Sequence, residues 1–149
     1  MNRIFEKSSG GIVYRKQKGK IEILLLEWEN AKREREFVIP KGHMEDSETA
    51  KDTAIREIAE ETGLAVQDLE IIKFMSKINY SFIATYKEWC PVIEKDVYLF
   101  LVKYHGNREP VPQKEERFLG FRWFSIEELK TANIKPDIHG FVRKNIQFM

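Results

Sequence analysis

Between Gly42 and Leu64 the chain carries a glycine, five residues, Glu48, seven residues, and then Arg56-Glu57-Ile58-Ala59-Glu60-Glu61-Thr62-Gly63-Leu64. In a helix of 3.6 residues per turn, positions 57, 60 and 61 fall within about 100° of one another, which sets three carboxylates on one face. Like charges so placed repel, and the arrangement costs helix stability unless cations sit between the side chains. Hard oxygen donors around open positions are what Mg²⁺ or Mn²⁺ prefer, above all where phosphates supply the remaining ligands. A bare Glu-x-x-Glu-Glu with Arg56 beside it also suits a solvated acidic face with a surface ion pair. Its conjunction with Gly42, Glu48, Gly63 and the approach Pro40-Lys41-Gly42-His43 favours the metal-phosphate reading.

Such a face needs a helix and something to hold it. Ser47 is a plausible N-cap, residues 49–62 have helical apolar spacing through Ala50, Ala54 and Ile58, and Gly63 sits where a C-cap glycine belongs. Ala54, Ile55 and Ile58 occupy the arc next to the carboxylates and predict that the helix packs on a sheet with its acidic face lining a cleft. Two strands, one from about residue 5 through Tyr14 and one over 21–26, flank a hairpin turn at Lys16-Gln17-Lys18-Gly19-Lys20. Residues 37–39 read as a short strand ended by Pro40, and 42–47 as a loop. Long strands are expected over 69–82 and 92–104, with a breaker-containing turn at 86–91, and another strand over 120–124. Ser125-Ile126-Glu127-Glu128 has the form of a capping box and starts a second helix, and 138–148 reads as a C-terminal helix. Strands outnumber helices, so an α+β fold with a mixed sheet packed by helices follows.

Composition narrows the function classes. A chain of 149 residues with 42% hydrophobic and 33% charged residues is long enough for one domain with its own core. No linker-like tract interrupts it, so residues 1–149 are read as a single domain. The balance of 25 Lys and Arg against 24 Asp and Glu leaves a formal charge of +1. That speaks against a general polyanion binder, makes nucleic acid an unexpected partner, and requires any attraction to phosphate to be local. Cys90 is the only cysteine, which precludes an intrachain disulfide and suits a cytoplasmic setting. The longest apolar run, Ile23-Leu24-Leu25-Leu26, is far short of the roughly 20 residues that cross a bilayer, and no membrane association or secretory leader is expected.

The run from Gly42 to Leu64 resembles the Nudix box at every fixed position. The resemblance implies an α/β/α sandwich around a central mixed sheet. It implies metal-assisted hydrolysis of a pyrophosphate bond in a nucleoside diphosphate linked to another group, so the expected partner is a small nucleotide. It further implies that Glu57, Glu60 and Glu61 bind divalent cations and that the Gly42 carbonyl adds a ligand. Arg56 pairs with carboxylates, Glu48 among them, to fix the loop on the helix, while Gly63 closes it and Ile58 and Leu64 fill the apolar positions. Among members of the family the general base is either the glutamate at the position of Glu57 or one from a distant loop. Here Glu115 and Glu116 stand just before Arg117-Phe118-Leu119-Gly120, and Glu116, nearer the usual spacing, is taken as the distant base and further metal ligand.

Within the family, Ser8-Ser9-Gly10-Gly11-Ile12-Val13-Tyr14-Arg15 followed by Pro40-Lys41-Gly42-His43 is similar to the dinucleoside polyphosphate hydrolases, over about residues 8–129. These relatives cleave diadenosine tetraphosphate and longer compounds. Lys41 and His43, at the mouth of the acidic helix, are then expected to hold phosphates distal to the cleaved bond. The relatives usually carry Trp three residues before the motif proline, where this chain has Phe37. Ile78, Tyr80 and Phe82 alternate onto one strand face; Tyr80 is the candidate to stack on adenine, and Phe82 is assigned to packing. Two other readings compete: pyrophosphate removal from nucleoside triphosphates or triphosphate-ended RNA, and a non-catalytic nucleotide-sensing module. The intact carboxylate set argues against the sensor.

Overall fold

The first two strands, β1 (Arg3–Gln17) and β2 (Lys20–Glu29), form the expected antiparallel hairpin, paired from Gln17 opposite Lys20 to Val13 opposite Leu24. Beyond that point the two strands part, and the gap is filled by two short strands. In this computed structural model, which describes residues 3–112 and 118–149, β3 (Arg35–Val38) joins β2 while β4 (Lys41–His43) joins β1 opposite Ser8–Gly10. The loop expected over 42–47 therefore begins as a strand. Its approach depends on small residues in β1: a side chain on Gly10 would collide with the Pro40 carbonyl and with Lys41.

β5 (Leu69–Ile83) and β6 (Val92–Tyr104) make a long antiparallel hairpin, and β6 lies parallel to β1 along twelve register pairs from Arg3–Val92 to Tyr14–Lys103. β7 (Phe118–Ser125) pairs with β2. Among the described residues the sheet has seven strands, in the order β3-β2-β1-β6-β5 with β4 on β1 and β7 on β2. One parallel pair among antiparallel ones makes it mixed.

Alternation along the strands gives each face its own core. Val13, Leu24, Phe100, Val102 and Trp123 pack with Ala54 and Ile58 of α1 (Ala50–Thr62). Ile12, Tyr14, Ile23, Leu25, Leu101 and Phe124 pack on the other face with Leu129 of α2 (Ile126–Leu129) and Ile138 and Val142 of α3 (Pro136–Asn145). Two helical layers enclose one sheet, the α/β/α sandwich expected. Phe37 joins the second core, its ring edge-on to Phe124 at 4.8 Å between centroids.

Several boundaries differ from expectation for local reasons. The N-cap of α1 is Thr49 rather than Ser47, because the Glu48 amide donates to the Glu45 carbonyl and the Glu45 amide to the Glu48 carboxylate, closing a turn over the preceding residues. Thr49 is the first residue free to cap, and it forms a reciprocal box with Asp52. The last α-helix starts at Pro136, where a missing N–H costs nothing, and gives way at Ile146–Phe148 to a 3-10 turn. The Ser125 capping box with Glu128 forms as read. No helix among the described residues is long and apolar enough to cross a membrane.

Candidate functional site

The site lies where β1 and β2 part and α1 crosses beneath β4. Gly42 sits directly over Glu57: a Cβ there would stand 2.5 Å from one carboxylate oxygen and closer still to the carboxyl carbon and the other oxygen. Only glycine lets the strand and the carboxylate meet. One turn further along α1, Glu61 accepts the backbone N–H of Lys41 at 2.9 Å, so β4 is pinned to the helix through the acidic residues themselves. Gly63 ends α1 in the left-handed region at φ 74°, its N–H returning to the Ala59 carbonyl at 2.9 Å. The segment before the undescribed stretch is tied to the same end of the helix, since Val111 donates to the Thr62 carbonyl at 2.6 Å.

Arg56 gathers the rest. Its Nε and Nη2 donate to the two oxygens of Glu48 at 2.6 and 2.8 Å, Nη2 also to the His43 carbonyl at 2.9 Å, and Nη1 to Glu57 at 2.9 Å and to Glu60 at 3.3 Å. The guanidinium thus joins the loop, the end of β4 and the helix, a geometry that a planar five-donor cation provides and an ammonium does not. The hydrogen bonds from Arg56 are the largest cause that holds the Glu48 carboxyl at about 2 against an ordinary 4.5. Arg56 is raised correspondingly by the same partner.

A cavity of about 260 Å³ collects the residues anticipated from sequence: Lys41, Gly42, His43, Glu57 and Glu61, with Ser8 and Lys95 added. Glu57 and Glu61 are buried, at 9% and 4% exposure. Glu60 is not among the lining residues; its half-exposed carboxylate turns toward Arg56 at the rim. Among the described residues no three acidic, histidine or cysteine side chains converge closely enough to hold an ion. The donor chemistry nonetheless fits a hard divalent cation, because two buried carboxylates one helical turn apart sit in a low-dielectric cleft with a close-approaching glycine backbone. His43 is at the rim, its ring largely exposed and 3.8 Å from Glu6. Glu115 and Glu116 lie outside the described residues.

Lys41 also borders a second cavity of about 250 Å³ on the α3 side of the sheet, walled by Ile39, Ile78, Tyr80, Leu99 and Phe141, with Lys135 and Asp137 at its edge. Tyr80 is placed there, its ring stacked on Phe82 at 6.1 Å, and burial is the main cause that pushes its hydroxyl pKa upward. Burial also lowers the Lys41 ammonium, with Lys135 and Lys95 adding to the effect. Sequence reasoning overlooked Lys95, Lys135, Asp137, Phe141 and Ser8. Lys95 carried a legible signal, as a lysine in register with Tyr80 across β5 and β6. The α3 residues carried none, since their approach depends on how the C-terminal segment folds back.

Comparison with known proteins shows the family and the fold. The profile of the NUDIX domain matches residues 5–144. The asymmetrical bis(5'-nucleosyl)-tetraphosphatase of Mus musculus is 32% identical over 90 residues, 60% of this chain and 55% of that protein. The curated relatives are longer, and the matched stretches make up 33% to 55% of their length. The crystal structure of a C. elegans Ap4A hydrolase binary complex superposes with a TM-score of 0.72 at 25% identity, covering 96% of each chain. The E. coli dihydroneopterin triphosphate pyrophosphohydrolase shares the fold, with a TM-score of 0.71 at 16% identity over 98% of this chain and 99% of that one.

Proposed function

The chain belongs to the Nudix family, and from that membership we propose that it is a divalent-cation-dependent hydrolase of phosphoanhydride bonds in nucleoside-diphosphate-linked compounds. Diadenosine polyphosphates, cleaved asymmetrically so that a nucleoside triphosphate is one product, are the proposed substrates. The observation that carries this reading is the pairing of buried Glu57 and Glu61 with Lys41 around one cavity. Similarity to the mouse tetraphosphatase and to the C. elegans Ap4A hydrolase supports the substrate class.

In this reading Glu57 and Glu61, with Glu60 at the rim and the Gly42 carbonyl, hold Mg²⁺ or Mn²⁺. Glu116 is a further ligand from the loop. The cation, when bound, neutralises phosphate charge and makes phosphorus more open to attack. The chain's own residues do the positioning. Arg56 keeps Glu57 and Glu60 oriented and ties Glu48 to the helix. Lys41 reaches between the two cavities, so phosphates gripped there connect a nucleoside in the Tyr80 cavity with the bond over the carboxylates. His43 meets the phosphates nearest solvent. The attacking water gives up its proton to a carboxylate, Glu57 in the cavity or Glu116 from the loop. Val111 donates to the Thr62 carbonyl at the C-terminal end of α1. A single thiol and nucleotide substrates suit the cytoplasm as the setting.

The test is one incubation of purified protein and Mg²⁺ with diadenosine polyphosphates, nucleoside triphosphates, nucleotide sugars and triphosphate-ended RNA, products separated by chromatography. Preferential conversion of diadenosine tetraphosphate to a triphosphate and a monophosphate is expected. Preference for triphosphates or RNA refutes the substrate assignment, and no turnover of any compound refutes the enzyme.

A further inference from the structure

Ser8 stands apart in the carboxylate cavity. It is only 1% exposed, and its Oγ is buried with no hydrogen-bond partner among the described residues. Its neighbour Ser9, equally buried, does what a buried hydroxyl ordinarily does: it donates to the Ala50 carbonyl at 2.7 Å and braces the first turn of α1. Strand alternation sends the two side chains to opposite faces of β1. The Ser9 hydroxyl is therefore spent on the helix, while Ser8 lines the cavity beside Lys41 and Lys95. An unmet buried hydroxyl destabilises a fold, and it is retained at little cost where a ligand completes it.

Building on the function proposed above, we propose that Ser8 is a phosphate-binding residue whose hydroxyl donates to a non-bridging oxygen of the polyphosphate held between Lys41 and Lys95. The two ammonium groups make the ligand at this point an anionic oxygen. A neutral donor adds a contact at the cavity floor without adding another mutually repelling charge. Backbone register fixes the position, since Ser8 lies opposite His43 across β4 and beside Val97 across β6.

Ser8→Ala and Ser9→Ala, compared with the unaltered protein, separate a ligand contact from a structural one. Three quantities are read: KM for diadenosine tetraphosphate, the Kd of inorganic tripolyphosphate by calorimetry with Mg²⁺ present, and Tm without ligand. Ser8→Ala is expected to weaken both KM and Kd about tenfold or more, as loss of a hydrogen bond to a charged group does, with Tm unchanged or higher. Ser9→Ala is expected to do the reverse, lowering Tm while KM and Kd stay within about twofold of the unaltered values. Ordinary tripolyphosphate and substrate affinity in Ser8→Ala overturns the proposal, as does a loss of Tm matching that of Ser9→Ala. If the unaltered protein turns over no substrate, the enzymatic reading fails, and the tripolyphosphate Kd alone still decides for or against Ser8.

Discussion

Gly42→Ala tests whether contact between β4 and Glu57 sets the rate. The added methyl is small, and Gly42 needs no unusual backbone angle, so the effect is purely one of space. The new Cβ would overlap the Glu57 carboxylate, lying 2.5 Å from its nearer-to-normal oxygen. Either the carboxylate swings away or β4 lifts from α1, and overpacking of this kind costs about 2 kcal/mol. For a chain of this size that corresponds to a Tm lower by about 6 °C. A displacement of about 1 Å at a reacting group lowers kcat on the order of 10²-fold. Steady-state kinetics on the best substrate and a thermal melt measure both effects. Gly120→Ala is the control, since a Cβ there meets nothing within 4 Å. If Glu57 is the affected group, Gly42→Ala made on Glu57→Gln should lower Tm again but reduce kcat little further. Unaltered kcat in Gly42→Ala, or fully multiplicative losses in the double variant, would refute the reasoning.

Glu61→Gln should lower kcat by on the order of 10²-fold or more and leave the circular dichroism spectrum unchanged; near-normal turnover would remove Glu61 from the cation site. Glu48 gives a pH signature. Its folded-state carboxyl is held at about 2 against 4.5, so the stability from its pairing is complete above about pH 4.5 and lost as the pH falls toward 2. Glu48→Gln should therefore melt lower at neutral pH and show a flatter Tm profile between those values, and parallel profiles would contradict the assignment. Lys41→Ala should raise KM more for diadenosine tetraphosphate than for a nucleoside triphosphate; equal increases would separate Lys41 from recognition of the longer chain.

The central helix was legible because several independent signals coincide there: apolar spacing through Ala54 and Ile58, a closing glycine at 63, and carboxylates at helical intervals. Its N-cap is Thr49, two residues beyond Ser47, because what Glu48 does is set by partners that the local sequence does not show. In three dimensions it closes a turn with Glu45 and faces Arg56. Helical angles placed Glu57, Glu60 and Glu61 on one arc, yet burial divides them. Angular position does not say how far the covering strand extends, and β4, a three-residue strand around a glycine, has too little local pattern to be recognised. The second cavity was half legible, through Tyr80 on a strand of clear period. Its opposite wall comes from α3, which the chain reaches some sixty residues later.

How a chain with a formal charge of +1 could select a polyanion is answered by how its charges are sorted. Burial lowers the affinity of Lys41 for its proton, and Lys135 and Lys95 lower it further. Glu57 and Glu61 line the cavity that Lys41 and Lys95 also line, while Lys135 lines the neighbouring one. Groups of opposite sign side by side cancel in the total. A phosphate chain alone would relieve the lysines but meet the glutamates' repulsion, and a cation alone would do the converse. Polyphosphate and divalent cation together satisfy both sets of charges, so each should strengthen binding of the other. Titration of tripolyphosphate with and without Mg²⁺ measures that coupling. An affinity independent of Mg²⁺ would mean that the two sets act separately.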